Sequence, residues 1–291
     1  MTSATRGTLF LEEARVLSQL KFDAEQYVLR LAAPQCAARA APGSFAHLTC
    51  AAAIPMRRPL SIMRANPAGG WLEFLYKVVG PGLHALAARK AGDVVSVLGP
   101  IGRPFAPHRE RPRTLLLGGG VGIPPMVFLA ERLSADKATP WKPMVLMGSE
   151  VPFPFRVRPS ALIVAGMPTA AIACMPLLEE WGVPSRLASG ADFPGCFSGF
   201  VTELAAAWLA SLGKAELAEV EIFACGPTAM LQAAAALARR YQLPAQVSLE
   251  EFMACAVGGC AGCTVAVRTP EGAAMKRVCV DGPVFDADTV F

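Results

Sequence analysis

The chain has 291 residues, enough for two domains and a small third one. Hydrophobic residues make up 53% and charged residues 17%, which excludes a disordered chain. The net charge is +4 with no long basic run, so nucleic-acid binding gains no support, while phosphate-bearing small molecules suit the mild positive balance.

Nine cysteines are unevenly placed: Cys36, Cys50, Cys174, Cys196 and Cys225 are scattered, and four fall in the last 37 residues. An odd, dispersed set is not a disulfide framework and points to a reducing, cytoplasmic compartment. Met1–Arg6 has no basic stretch leading into an apolar one, so no signal peptide is expected. Pro159–Leu178 is uncharged over twenty residues, long enough to span a bilayer. Pro168, Pro176 and Gly166 interrupt it, so it reads instead as a buried strand at Ala161–Ala165, a turn and a short helix.

In chain order, residues 8–50 alternate strand-like runs with turns. Tyr27–Leu31 alternates in the β manner, Ala41–Phe45 is a turn signal, and His47–Cys50 follows as a strand. Further strands are expected at Pro59–Met63, Leu72–Val79 and Asp93–Leu98, closing at Leu98–Gly102 into a small antiparallel barrel over about residues 8–108. Arg58-Pro59-Leu60-Ser61 lies on one of these strands, and an arginine guanidinium can pair with a pyrophosphate in bidentate fashion. Leu75-Tyr76-Lys77 ends another strand. Gly80-Pro81-Gly82-Leu83 then opens a helix at Leu83–Arg89, where free N–H groups suit an anion. Taken singly, Arg58 also reads as a surface cation and the two glycines as a plain turn.

Arg103–Arg113 reads as a Pro- and Arg-rich linker. A second composition begins with the buried strand Thr114–Leu117. Gly118-Gly119-Gly120-Val121-Gly122-Ile123-Pro124 follows, then a helix at Met126–Leu133. Strand, glycine turn and helix start form the cradle for a dinucleotide pyrophosphate, although the spacing is not a strict G-x-G-x-x-G. Glu150, after a strand at Pro143–Met147, is the candidate ribose ligand. More βα units are expected at Val183–Ala188, at Phe200–Thr202 with helix Glu203–Ser211, and at Val220–Ala224. The last runs through Cys225-Gly226-Pro227 into helix Thr228–Tyr241, and the pattern implies a parallel, doubly wound sheet. Ligands of such sheets bind beyond the carboxyl ends of the strands, so Cys225 and the glycine turn could face one site. Cys225 reads equally well as a small buried residue. His47, His84 and His108 have no partner motif and read as structural or surface residues.

Near the C-terminus stand Cys255, Cys260 and Cys263 in C-x4-C-x2-C spacing, then Cys279 after fifteen more residues. This is the plant-type ligand spacing of a [2Fe–2S] cluster, and Gly258, Gly259 and Gly262 allow close backbone approach to the sulfurs. A structural zinc site is the main rival, although zinc usually takes two separated C-x2-C pairs. Four unligated buried cysteines is the third reading.

Together these motifs resemble the electron-transfer subunits of type B dihydroorotate dehydrogenase, within the ferredoxin–NAD(P) reductase superfamily. The resemblance covers nearly the whole chain in order: Pro42–Phe45, Arg58–Ser61, Leu75–Lys77, Gly99–Gly102, Gly118–Pro124, Cys225–Pro227, the four-cysteine region and Asp281–Phe285. It implies a multi-domain protein: an FAD-binding β-barrel domain (1–108), an NAD(P)-binding α/β domain (109–248) and a [2Fe–2S] domain (249–291). It implies that Arg58, Pro59, Leu60, Ser61, Leu75, Tyr76, Lys77, Gly82 and Leu83 hold FAD. Gly118, Gly119, Gly120, Gly122, Pro124, Gly226 and Pro227 would hold NAD(H), Cys225 would lie at the nicotinamide–flavin contact, and Cys255, Cys260, Cys263 and Cys279 would ligate the cluster. The implied partner is an FMN-containing dehydrogenase subunit, with no nucleic acid and no membrane. Three departures stand out. Leu83 replaces the usual threonine, Leu60 replaces a common tyrosine, and Val151–Ala191 is Pro-rich and apolar. Arg156 and Arg158 in that stretch would favour NADPH, whereas Glu150 would favour NADH. Two alternatives keep some of these parts: a diaphorase subunit of a hydrogenase, sulfite reductase or ferredoxin-linked transhydrogenase, and a zinc-stabilised module that senses NAD(P).

Overall fold

The structure is a computed structural model that describes residues 8–291; the reading of Met1–Arg6 lies outside them. Thirteen residues of alternating burial form β1 (Phe10–Phe22), followed by β2 (Gln26–Ala32) and a short α1 (Pro34–Arg39). Then come β3 (Phe45–Leu48), β4 (Arg58–Asn66), β5 (Trp71–Lys77), α2 (Gly80–Ala87) and β6 (Val94–Ile101). These six strands close as an antiparallel barrel in the order β1-β2-β5-β4-β3-β6. Closure removes free edges, and the inward side chains Leu29, Leu31, Ile62, Leu72, Phe74 and Val97 fill the interior.

The parallel part begins with β7 (Arg113–Gly119) and α3 (Ile123–Ala135), joined by a single 3-10 turn at Gly120–Gly122. It continues with β8 (Met144–Gly148), the two-residue β9 (Arg158–Pro159) and β10 (Ala173–Cys174), α4 (Pro176–Glu180), β11 (Ser185–Ser189) and β12 (Phe197–Ser198). After them come α5 (Val201–Ala210), α6 (Lys214–Leu217), β13 (Val220–Cys225), α7 (Thr228–Tyr241) and β14 (Ala245–Ser248). The chain ends with β15 (Thr264–Thr269), β16 (Gly272–Arg277), β17 (Val284–Asp286) and α8 (Ala287–Val290). The large sheet has the order β12-β11-β8-β7-β13-β14-β17, and its central pairs are parallel. Its central strands are buried and largely apolar, as a sheet covered on both faces requires, with Thr114 on β7 and Glu221 on β13 as buried polar exceptions.

Two compact units result: residues 8–104 with 250–284, and residues 105–249 with 285–291. The cysteine-rich segment therefore shares a unit with the barrel, although 145 residues separate them in sequence.

Two expected strands are corrected. Ala161–Ala165 is a loop, and Ile163 is 98% exposed. The reason is local: the Glu179 carboxylate accepts the Ala161 and Leu162 N–H groups, and Arg186 Nη2 donates to the Leu162 carbonyl, so this backbone is not free to join a ladder. Phe200–Thr202 is a helix entry. Phe200 caps α5, its N–H donating to Glu203 Oε2 at 2.7 Å, and the strand lies earlier, at Phe197–Ser198. The hairpin β15–β16 and the strand β14 were not among the expected elements. Among the described residues no helix is long and apolar enough to cross a membrane.

Candidate redox site

Arg58 opens β4, where its guanidinium Nη1 donates to the carbonyls of Met56 at 2.7 Å and Arg57 at 3.2 Å. The same guanidinium lies over the first turn of α2. A Cβ built on Gly82 would sit 2.8 Å from Arg58 Nε, so any side chain there would displace the arginine. Val79, the residue before the helix, supplies no side-chain cap, which leaves the first N–H groups of α2 open. An arginine beside an uncapped helix start cradled by glycine has the donor chemistry to bind a pyrophosphate. Leu83 lacks a hydroxyl, but its backbone N–H belongs to that same turn.

On β4 and β5 the expected residues do not share one face. Leu60 and Leu75 are buried, whereas Pro59, Ser61 and Lys77 are half-buried. Tyr76 is 1% exposed; its ring stacks on Tyr27 at 5.5 Å and its hydroxyl donates to Gln19 Oε1 at 2.9 Å. The Tyr76 side chain thus serves the barrel interior.

In the other unit, the register of β7 on β13 sets Gly118 opposite Cys225. The two turns beyond these strand ends interlock. A Cβ on Gly122 would collide with the Cys225 carbonyl, and one on Gly119 would lie 2.5 Å from Met230 Sδ and 3.2 Å from Pro227 Cδ. Gly120 takes a φ of +53°, a conformation glycine adopts without penalty. Pro124 enters α3 within its first turn, and no side chain caps that helix. Gly118–Gly122 and Cys225–Pro227 are therefore one structure, with the open N-terminus of a 13-residue helix in its middle. Glu150 is exposed just past β8. The adjacent strand ends are joined by Ser189 Oγ donating to the Ser149 carbonyl at 2.6 Å. Of the two candidate arginines, Arg158 pairs with Glu179 at 3.5 Å and Arg156 is exposed.

The four cysteines of the terminal segment meet through the hairpin. Thr264 pairs with Arg277, and the Val278 N–H donates to the Cys263 carbonyl at 2.9 Å. The fifteen-residue gap folds back on itself, and Cys279 returns beside Cys263. In the preceding loop the Cys260 N–H points at Cys255 Sγ, 3.4 Å away, and the Gly262 N–H at Cys260 Sγ, also 3.4 Å. Cys255 thus lies beside Cys260 and Cys279 beside Cys263, with Cys255 also within electrostatic reach of Cys279. Among the described residues no three Cys, His, Asp or Glu side chains converge on a point suited to a single ion. A two-iron cluster distributes four thiolates over two irons, and four cysteines gathered by one loop and one hairpin suit that demand. Desolvation raises the Cys255 thiol, but the N–H groups of Cys260, Val257 and Gly259 outweigh it and bring its pKa down to about 7. Burial, together with the Cys263 thiol, pushes Cys279 up to about 12.

The Asp281–Phe285 motif has a physical role that its sequence did not disclose. Asp281 Oδ2 accepts the Arg277 N–H at 2.8 Å, and Arg277 Nη1 donates to the Gly258 carbonyl at 2.9 Å, bracing the Cys255–Cys260 loop. The Gly282 carbonyl accepts the Arg103 N–H at 2.6 Å, and Pro283 packs where a Cβ on Gly102 would be. The motif thereby ties the cysteine segment to the strand that closes the barrel. Of the histidines, His47 is buried in β3, His84 is exposed on α2, and His108 Nδ1 lies 2.9 Å from the buried carboxylate of Glu221.

Residues 250–291 match the family described as the iron–sulfur cluster binding domain of dihydroorotate dehydrogenase B. The whole chain is similar to the dihydroorotate dehydrogenase B (NAD(+)) electron transfer subunit of Caldanaerobacter subterraneus subsp. tengcongensis, 31% identical with 96% of this chain and 97% of that one covered. It is also similar to the subunit of the same name from Bacillus caldolyticus, 33% identical with 96% and 98% covered. Among solved structures, an NADH-dependent reduced ferredoxin–NADP oxidoreductase described for flavin-based electron bifurcation superposes with a TM-score of 0.77 at 25% identity, covering 96% of this chain and 90% of that one. A ferredoxin reductase of carbazole 1,9a-dioxygenase shares the fold, with a TM-score of 0.61 at 23% identity over 81% of this chain and 67% of that one.

Proposed function

The chain belongs to the family of electron transfer subunits of dihydroorotate dehydrogenase B, and on that premise we propose how its residues divide the work. It is an NAD(P)H-dependent flavin and iron–sulfur oxidoreductase subunit that relays electrons between NAD(H), FAD and a [2Fe–2S] cluster in company with a catalytic partner subunit. When bound, FAD exchanges a hydride with the nicotinamide and single electrons with the cluster.

In this reading residues 1–108 are the flavin domain, 109–248 the nucleotide domain and 249–291 the cluster domain. Arg58 neutralises the flavin pyrophosphate while the N–H groups at Gly82 and Leu83 bind its oxygens. Ser61 supplies a hydroxyl on the ring side, and Pro59, Leu60, Leu75 and Lys77 set the walls, with Tyr76 supporting them from inside the barrel. The turn Gly118–Gly122, Pro124, Gly226 and Pro227 hold the nucleotide pyrophosphate at the start of α3, and Cys225 borders the nicotinamide end. The Glu150 carboxylate accepts from the adenosine ribose, and Arg158, already paired with Glu179, is not free for a 2′-phosphate; NADH is the preferred nucleotide. Cys255 and Cys260 take one iron, Cys263 and Cys279 the other. The partner, an FMN-containing dehydrogenase subunit, docks at the cluster edge, where Cys260 is exposed and Phe252 is 94% exposed.

The single observation that carries this reading is the gathering of four cysteines by one loop and one hairpin inside the barrel's own compact unit. An anaerobic visible spectrum before and after NADH tests it. Flavin and iron–sulfur bands that both bleach are expected, and in Cys260→Ser the flavin should still bleach without the cluster. A colourless protein holding zinc would overturn the relay in favour of a nucleotide-sensing module.

A further inference from the structure

Gln19 lies on β1, far in sequence from every motif above, and its side chain closes the far end of α2. Its Nε2 reaches three backbone carbonyls there, Leu86 at 3.1 Å, Ala87 at 3.0 Å and Arg89 at 2.9 Å. The last carbonyls of a helix lack a full set of partners within it; backbone N–H groups here already reach those of His84 and Leu86, and the two N–H groups of the Gln19 amide, shared among three carbonyls, add a side-chain clasp to the same end. The orientation of that amide is set from the other side. Gln19 Oε1 accepts the Tyr76 hydroxyl at 2.9 Å, and Tyr76 is locked by burial and by stacking on Tyr27. A second tie holds the same end, Arg89 Nη2 donating to the Cys50 carbonyl at 3.1 Å. An eight-residue α-helix is a rigid rod of about 12 Å, so where its carboxyl end is held decides where its amino end points. That amino end carries Gly82, in contact distance of the Arg58 guanidinium.

We propose that Gln19 is a positioning residue for the FAD pyrophosphate, fixing α2 so that the N–H groups at Gly82 and Leu83 stand beside Arg58. This rests on the reading of Arg58 and α2 as the pyrophosphate site. The probes are FAD, which has the pyrophosphate, and riboflavin, which lacks it, each titrated by flavin fluorescence into the full chain with its cluster intact and its flavin removed.

In Gln19→Leu the FAD dissociation constant rises about tenfold, the scale of one or two lost hydrogen bonds, while that of riboflavin is unchanged. Gln19→Lys restores most of the FAD affinity, because an ammonium donates to the same helix-end carbonyls and suits the helix dipole. Tyr76→Phe, a milder change that keeps the ring in place, raises the FAD constant about threefold and again spares riboflavin. Gln19→Leu binding FAD as tightly as the unaltered chain would overturn the proposal, as would equal loss of FAD and riboflavin, which marks a general loosening of the barrel. Arg58→Met separates the premise from the inference. If it leaves FAD binding unchanged, the pyrophosphate site is elsewhere. If it weakens FAD while Gln19→Leu does not, the site stands and Gln19 has no part in it.

Discussion

His47 shows how much a single buried side chain can carry. It is 1% exposed on β3, and its ring nitrogens make no well-formed hydrogen bond among the described residues. Burial first, and then the Arg57 charge, push its pKa down to about 4; the backbones of Arg57 and Met253 beside it offset this only in part. The unfolded chain takes up that proton near 6.5, the folded chain only near 4. Between those values the unfolded state holds more protons, so this contribution to stability is undiminished above pH 6.5 and falls as pH drops toward 4. The loss at about pH 5 is about 2 kcal/mol. Thermal unfolding at about pH 7.5 and at about pH 5 should therefore show a larger drop for the unaltered chain than for His47→Gln; equal drops would acquit the histidine. Glu150 makes the second prediction at this scale. With its carboxylate removed in Glu150→Ala, the ratio of KM for NADPH to KM for NADH should fall by about tenfold, since one charge-assisted hydrogen bond to the ribose is lost. An unchanged ratio would place the ribose contact on another residue.

At the scale of elements the decisive piece is the hairpin β15–β16. Its register, Thr264 opposite Arg277 through Thr269 opposite Gly272, is what returns Cys279 to Cys263. The strand ends at Arg277, and the Val278 N–H to Cys263 carbonyl bond sets where Cys279 follows, so one residue inserted between Arg277 and Val278 should displace Cys279 and abolish cluster assembly. A substitution at the exposed tip, such as Glu271→Gln, should leave it intact. Iron content and the visible spectrum of the two variants check this; a cluster of normal yield in the insertion variant would show that the hairpin does not set the ligand geometry. The loop spacing of Cys255, Cys260 and Cys263 was legible because local backbone alone determines it. The hairpin was missed because Ala266, Ala273 and Ala274, with a short exposed surface, give weak strand alternation. The apolar run Ala161–Ala165 misled in the opposite direction. Hydrophobicity marked it as a strand, but its backbone donors and acceptors go to Glu179 and Arg186 instead.

At the scale of the molecule, the Gly118–Gly122 turn belongs to one compact unit and the Arg58–Ser61 stretch and the four C-terminal cysteines to the other. Damage to one should therefore spare the other. Gly122→Ala forces its methyl against the Cys225 carbonyl, which requires the turns after β7 and β13 to move apart. NADH should then reduce the flavin with a KM raised by about tenfold or more, while dithionite still bleaches flavin and cluster as before. Loss of the cluster spectrum in this variant would mean that the units do not fold independently of each other's local strain.

The sequence by itself determined the chemistry. The C-x4-C-x2-C spacing, the glycine turn before α3 and the Arg58–Ser61 stretch on a strand are patterns within a few residues, and each suggests the kind of group it would hold. The barrel, the parallel sheet and the family were legible for the same reason: periodicity and turn residues act over short stretches. Only the tertiary structure decided which distant pieces support them. Gln19 reaches α2 some 67 residues onward, Arg277 braces Gly258 across the hairpin, and Gly282 and Pro283 join the barrel at Arg103 and Gly102. Such contacts depend on register and closure, which arise when the whole chain has buried its apolar faces, and no window of residues contains them.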